Sequence, residues 1–472
     1  MDPFGPSTPA TELAGALRRR EISAVELLET CLAAVDERNP ELNAVVWRDD
    51  ERAREAARDA DRRLAQGDQA PFLGVPIPIK DLTPVAGWPL TYGSAGAPEG
   101  PSETGEVVVE ALADAGFVLC GRTNTPEFGL ITAAENSRYG VTRNPWDTSR
   151  SPGGSSGGAG AAVAGGMFPL AHGNDGGGSI RIPASYCGLF GLKPSRGRVP
   201  RLAQSWQGSV VEGVLTRTVA DSAAVLDAIS KPDPLAWYNA PAPERPFARE
   251  VGAPAGHLRI GLMAQAPLGL PTASECTAAA RAAAALLEEL GHAVSEVEVP
   301  TISEELTPAF IVLAQAGLGE YEHIDWERVE PHIAHQRRLG DELAANDYVL
   351  AGHRLELVSR REVARWGRDF DVLLTPTAAI EPPPAGAILA AQHATPDQPV
   401  AEVVGSVCFT AFGNVTGLPA ASLPLHWTDQ DVPIGVQLVA GPWREATLIR
   451  LASQLEDASP WRARRPALVH AG

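Results

Sequence analysis

The 472-residue chain is poor in cysteine, and the five it has (Cys31, Cys120, Cys187, Cys276, Cys408) are scattered, odd in number and without a CxxC pair. That excludes a disulfide framework or a zinc knuckle and fits buried thiols in a reducing compartment. Long apolar runs are missing as well. No stretch approaches the roughly 20 residues of a transmembrane helix, and the opening MDPFGPSTPATELAGALRRR has no apolar secretory core. A cytoplasmic protein without membrane attachment is expected. Positive charge is outnumbered: 39 Lys and Arg against 58 Asp and Glu give a net charge of −19, which repels nucleic acid and anionic membranes at long range. There is no GxxxxGK[ST] phosphate loop, and GGAGAAVAGG (157–166) misses both the GxGxxG spacing and the downstream acidic residue of a dinucleotide site. PHIAH places His332 and His335 three apart, as two ligands on one helix face would be. Neither an HExxH motif nor a carboxylate in register accompanies them, so no metal and no cofactor are expected.

What remains is ordinary globular material, 44% apolar and 21% charged. Residues 8–66 read as helical. SAVELLETCLAAV opens with Ser23 as N-cap and Glu26 three residues on, a capping box, and Val25, Leu28, Leu32 and Val35 follow at helical spacing. From about residue 72 short apolar runs bounded by Gly and Pro take over: GVPIPIK, FVLCGRT, FPLAHGND, LRIGLMA, DVLLTPT, AASLPLH and IGVQLVAG. Helical segments such as TAAARAAAALLEELG and EATLIRLASQLE lie between them. Short buried strands alternating with helices predict an α/β protein with a layered sheet covered on both faces.

The chemistry concentrates in two glycine-rich segments. SPGGSSGG (151–158) holds Ser155 and Ser156 between two glycine pairs. NDGGGSIRIP (174–183) sets three glycines before Ser179, where backbone N–H groups can converge on an anion such as the oxyanion of a tetrahedral intermediate. A serine there needs a base. His172 is the one histidine nearby, inside an apolar run. Lys80, ending the otherwise apolar GVPIPIK, is the other candidate, since burial would depress its pKa. Taken singly, each feature also has an ordinary reading: glycine-rich turns are common, and a lysine ending a strand is usually a snorkelling surface residue. GGSSG satisfies GxSxG at Ser155, but the polar NPWDTSRSP before it is no strand, as a hydrolase elbow requires.

In combination and order, these segments closely resemble the amidase signature family. GVPIPIKD resembles its lysine motif, GRTNTPEFG its Thr-Asn-x-x-Glu-Phe element, and NPWDTSRSPGGSSGG with NDGGGSIRIPASYCGLFGLKPSRGRVP its signature core. FDVLLTPT, FGNVTGLPAASLP and PIGVQLVAGPW look like its C-terminal strands. The resemblance implies an α/β amidase signature fold, a central mixed β-sheet covered on both faces by α-helices. One domain would span 1–472: a helical segment over 1–70, the signature core over 71–230 and the remainder over 231–472.

It further implies a Ser-cisSer-Lys triad. Ser179 would be the nucleophile, Ser155 the bridging serine after a cis bond from Gly154, and neutral Lys80 the base. N–H groups across Gly176, Gly177, Gly178 and Ser179 would hold the oxyanion, with Asp175, Arg181 and Ser156 as supports; Ser156 reads equally well as a small residue opening a helix. The chain departs from the family pattern at Gly176, where a larger residue is usual, at Asn174 for a common Thr, and at Trp88. The expected partner is a small, largely apolar amide, with carbamates and esters as extensions and a homodimer left open. Trp88, Trp206 and Phe128 would wall the pocket beside the uncharged TPAFIVLAQAGLG (307–319), a segment that reads equally well as a core helix. The nearest arginine downstream of Trp206 is Arg217, leaving no cationic clamp there. The alternative is a glutaminase resembling the amidase-like component of the tRNA-dependent amidotransferase, which depends on partner proteins. A non-catalytic binding protein on the same scaffold is a third reading.

Overall fold

The helix Ala24–Leu42 begins as its sequence predicts. Ser23 Oγ accepts from Glu26 N (3.1 Å) and Glu26 Oε2 accepts from Ser23 N (2.9 Å), while Leu28, Leu32 and Val35 are buried beneath it. The computed structural model describes residues 4–470 of the chain. The N-terminal region, read as helical over 8–66, holds three helices, Ala10–Arg19, Ala24–Leu42 and Asp50–Ala65, and one short strand. Asn43 takes a left-handed conformation that ends the second helix, and β1 (Val45–Trp47) follows before the helix Asp50–Ala65. Three residues with β-branched or aromatic side chains suit a pleated, half-buried position better than another helical turn.

β1 is one edge of a three-stranded sheet completed by β2 (Pro76–Lys80) and β3 (Val118–Thr123), in the order β1-β3-β2. β2 pairs with β3 alone. Pro76 and Pro78 lack the N–H groups for a second ladder, which confines such a strand to an edge. After the short hairpin β4 (Glu135–Asn136) and β5 (Gly140–Val141), the chain builds an eight-stranded sheet. Its strands are β6 (Leu170–Asp175), β7 (Phe190–Lys193), β8 (Val211–Thr216), β9 (Arg259–Leu262), β10 (Ala293–Glu296), β11 (Val372–Pro376), β12 (Ala420–Trp427) and β13 (Pro433–Ala440). Their order is β10-β9-β11-β13-β12-β7-β8-β6. β9, β10 and β11 run parallel and every other pairing is antiparallel, which makes the sheet mixed.

Strand periodicity covers both faces. Val372 and Leu374 join one core cluster with the helices Val219–Ile229, Ser274–Glu289 and Glu445–Ala458; Leu373 between them joins another with the helices Leu306–Gly317 and Ala345–Val363. The first cluster draws on residues from Ala10 to Trp461. All seven apolar runs picked out by sequence contain strands. Of the eight-stranded sheet, β7, β8 and β10 lie outside those runs: β7 is inside the glycine-bearing segment 174–200, β8 is interrupted by Glu212 and Gly213, and β10 is a mostly exposed edge.

Candidate active site

Three elements meet where β2 abuts β6. Lys80 is the last residue of β2 and wholly buried; Ser155 and Ser156 precede the helix Gly157–Ala164; Ser179 precedes the helix Arg181–Cys187. Lys80 Nζ donates to Ser155 Oγ (2.7 Å), Ser156 Oγ (2.9 Å) and Asn174 Oδ1 (2.8 Å). Ser155 Oγ in turn donates to Ser179 Oγ (2.9 Å). Ser156 combines the two roles open to it, opening its helix and binding Lys80, while its own hydroxyl donates to the carbonyl of Asn174 (3.1 Å). Ser156 N donates to the Ser179 carbonyl (3.2 Å) and ties the two serine segments together.

The Gly154–Ser155 peptide is cis. Glycine is required at 154 by close approach: a Cβ there would stand 2.5 Å from Ala133 N and 2.8 Å from the carbonyl carbon of Thr132. Gly178 is required by its left-handed φ of +134° and by Thr410, whose hydroxyl occupies the space of a Cβ.

Around the glycine nest, Asp175 accepts from Gly178 N (2.7 Å) and Ile180 N (3.1 Å). Gly178 therefore departs from the expected oxyanion donors, its N–H being committed to a carboxylate. Among the described residues, the N–H groups of Gly176, Gly177 and Ser179 carry no hydrogen bond. Asn414 Nδ2 donates to the Asp175 carbonyl (2.8 Å) and Thr410 Oγ1 to the Gly177 carbonyl (2.7 Å), fixing how these peptides face. Arg181 pairs with Asp175 (2.8 Å), both fully buried, and donates to Gln437 Oε1 (2.6 Å) and Asn414 Oδ1 (2.5 Å). Burial pushes the Asp175 carboxyl up, but the charge and hydrogen bonds of Arg181 outweigh it and hold Asp175 well below the usual carboxylate range. Asn414, Thr410 and Gln437 were not singled out from sequence. The available signal was Gln437, an isolated polar residue in the apolar PIGVQLVA.

Burial lowers the Lys80 pKa to about 7, against the partial opposition of Glu212 and Asp175. A second signal for this residue lies in composition: the chain has three lysines, Lys80, Lys193 and Lys231, against 36 arginines. A guanidinium does not deprotonate in proteins, so of the two basic residues only a buried lysine can take up and release a proton near neutral pH. Lys193 is also buried, donating to the Pro194 carbonyl (2.8 Å).

Other sequence candidates go elsewhere. His172 Nε2 bonds Glu212 Oε2 (3.0 Å), whose other oxygen, Oε1, pairs with Arg201 (2.9 Å), and His172 makes no hydrogen bond to Ser179. Trp88 is no pocket wall: it is buried in the main core against Trp47 (ring centroids 4.9 Å apart) with the Arg122 guanidinium over it. Arg217 is buried and donates to the Val163 carbonyl. Phe128 lies in an aromatic cluster with Tyr92, Tyr321 and Trp326, one residue before Gly129, which abuts Ser155. Gly176 does not leave open room. A Cβ there would be 3.1 Å from the Trp206 ring and 3.2 Å from Val210, so the glycine admits Trp206. The segment 307–319 forms the helix Leu306–Gly317, with Leu306, Ala309 and Leu313 in the core and Phe310 against Gly177 and edge-on to Trp206 (5.8 Å). Both readings of it therefore hold in part. Phe128 and Trp206 share left-handed backbone, φ 51° each, uncommon for bulky residues and frequent beside functional sites.

The mixed sheet and the buried lysine–serine cluster define a hydrolase of the amidase signature class. A family model for Amidase matches residues 26–449, and the chain belongs to that family, whose members act on amides. It is 37% identical to 6-aminohexanoate-cyclic-dimer hydrolase of Pseudomonas sp. (strain NK87), over 98% of this chain and 97% of that one. The solved structure of 6-aminohexanoate cyclic dimer hydrolase complexed with substrate superposes with a TM-score of 0.91 at 35% identity, covering 99% of this chain and 100% of that one. A bacterial aryl acylamidase of the amidase signature family gives 0.87 at 27%, covering 98% and 100%. Among the described residues no helix is long and apolar enough to cross a membrane.

Proposed function

We propose that the chain, acting as a single domain, hydrolyses the C–N bond of small, neutral, largely apolar amides through an acyl-enzyme on Ser179, with Ser155 relaying protons to Lys80. The observation that carries this reading is the unbroken hydrogen-bonded series Lys80 Nζ–Ser155 Oγ–Ser179 Oγ, at 2.7 and 2.9 Å. Charged Lys80 donates to all three oxygens; on losing a proton it turns a lone pair to one of them, and the neighbours decide which bond reverses. A neutral amine has two N–H donors and one lone pair. Asn174 Oδ1 only accepts, and the Ser156 hydroxyl hydrogen is committed to the Asn174 carbonyl. Neutral Lys80 therefore directs its two hydrogens to Asn174 and Ser156, and its lone pair faces Ser155. Ser155 passes its proton to Lys80 and takes the proton of Ser179, which attacks the carbonyl carbon. The free N–H groups of Gly176, Gly177 and Ser179 stabilise the oxyanion. The proton returns through Ser155 to the leaving nitrogen, and water admitted along the same series releases the acid.

The substrate class rests on the side chains against the nest, Trp206, Val210 and Phe310, all uncharged, and on Arg181 being fully engaged by Asp175, Gln437 and Asn414. It rests also on similarity to enzymes named for a cyclic amide and for aryl acylamides. The test is kcat/KM of the purified chain alone for an acyl anilide, a cyclic aliphatic diamide, glutamine and a dicarboxylic monoamide. Turnover of the first two is expected. A preference for glutamine, or activity only with added partner proteins, would favour an amidotransferase-type glutaminase instead.

A further inference from the structure

A second buried polar cluster forms where three segments meet beyond the aromatic residues around Phe128. Glu330 is the N-cap of the helix Pro331–Glu342, His332 lies in its first turn, and His393 lies in the last turn of the helix Ala387–Ala394. Their ligand atoms all fall within 4.8 Å of one another. His332 Nδ1 stands 3.7 Å from Glu330 Oε2, and His393 Nε2 stands 3.9 Å from the same oxygen. Sequence spacing pairs His332 with His335, but His335 faces outward and meets Arg338 (3.0 Å). The carboxylate that the helical register lacks is Glu330. It is out of that register because an N-cap residue has extended backbone (φ −64°, ψ 148°), which turns its side chain back toward the first turn.

Two of its three members are deeply buried and unsatisfied. Glu330 is 4% and His332 3% exposed, yet Glu330 Oε2 and both ring nitrogens of His332 have no hydrogen-bond partner. Buried polar atoms are nearly always partnered, so three in one place call for an absent group. A group that accepts electron pairs suits the site, since Glu330 Oε2 and one nitrogen of His332 can each offer a pair and the carboxylates of Glu127 and Glu135 lie close by.

We infer that Glu330, His332 and His393 form a binding site for one divalent transition-metal ion of the zinc class. Zinc bound at about 2.0–2.2 Å by these atoms requires them to stand roughly 3.3 Å apart, so the two separations from Glu330 Oε2 close by about half an ångström each and the His332–His393 pair, within 4.8 Å, by up to about 1.5 Å. The surroundings supply the outer support such sites use. Ser137 N donates to Glu330 Oε1 (2.6 Å), leaving Oε2 for the ion, and Glu127 Oε2 accepts from Glu330 N (2.7 Å). Glu135 accepts from Gly386 N (2.7 Å) and Leu389 N (3.1 Å) and anchors the helix that carries His393. His393, whose side chain is 35% exposed, gives the route of entry. The ion would clamp the helices 331–342 and 387–394 to the segment 127–137, whose Gly129 abuts Ser155, and so serves the wall of the cleft and takes no part in the reaction.

The test uses tag-free full-length protein stripped with a chelator and titrated calorimetrically with Zn2+ alone. One ion per chain is expected, with a Kd of about 1 µM or tighter, and stoichiometric Zn2+ should raise Tm by about 2–5 °C. His393→Ala, at the surface and safe for folding, should weaken binding by about 100-fold or more and abolish the Tm shift. His335→Ala should bind within about threefold of the parent protein. Absence of a saturable one-to-one site in the parent protein overturns the inference, as does undiminished affinity in His393→Ala, or loss of binding in His335→Ala with retention in His393→Ala.

Discussion

The lysine–serine cluster and the Glu330–His332 core of the second cluster are both buried, both polar and joined through residues 127–129, but they dispose of their polar atoms in opposite ways. In the first, Lys80 has three acceptors, Asp175 receives N–H groups from two peptides and a guanidinium, and Arg181 reaches three further oxygens. In the second, a carboxylate oxygen and both nitrogens of an imidazole have no partner. A satisfied network fixes geometry before substrate arrives, which is what charge stabilisation in a transition state requires. An unsatisfied one of this depth is costly unless something from outside completes it.

The largest effects come from removing members of the filled cluster. Ser179→Ala should abolish the acyl-enzyme in mass spectra and lower turnover by about 10^4-fold or more, and Lys80→Ala or Ser155→Ala combined with it should cost little further. In Ser155→Ala, ester hydrolysis should be lowered less than amide hydrolysis, because an alkoxide leaves with less help than an amide nitrogen. Equal losses on both substrates would remove Ser155 from proton return.

Stability separates the clusters next. Asp175→Asn leaves the Arg181 charge buried without its counter-ion and should cost about 3–5 kcal/mol in urea unfolding. Glu330→Gln in metal-free protein keeps an acceptor for Ser137 N–H and relieves an unpartnered carboxylate, so its cost should stay below about 1 kcal/mol. Comparable losses from the two substitutions would erase the contrast.

A pH profile sharpens it further. Burial lowers the Lys80 pKa to about 7. The neutral, proton-accepting form is populated above that value, so kcat/KM should climb about tenfold per pH unit below 7 and level off above it. Asn174→Asp places a carboxylate against Nζ, favours the charged amine and should move the rise to higher pH. An acid optimum would contradict a lysine base.

The smallest expected change is in activity after chelation. Turnover of a neutral amide should alter by less than about twofold in EDTA while Tm falls, because the Glu330 cluster is structural and the serine chemistry needs no ion. Activity lost to EDTA and restored by zinc would place a metal in the reaction itself.

Much of this was readable along the chain, for identifiable reasons. Strands such as IGVQLVAG and helices such as EATLIRLASQLE show because local burial repeats with the period of the element. The two glycine segments show because close backbone approach and positive φ select glycine at single positions such as Gly154 and Gly178. Lys80 stands out as one of three lysines in an arginine-rich chain, at the end of an apolar strand. Each of these properties is imposed on a residue by its own backbone or its immediate neighbours, so each leaves its mark in the order of residues alone. The roles of Asn414, Thr410 and Gln437 could not be read this way, since they act on residues more than 200 positions away. Nor could the filling of the space at Gly176 by Trp206, the burial of Trp88 in the core, or the pairing of His332 with Glu330 and His393 in place of His335. Side-chain direction at an N-cap, and the meeting of two helix ends, depend on how elements pack. Packing is a property of the whole chain, and no local stretch of residues carries it.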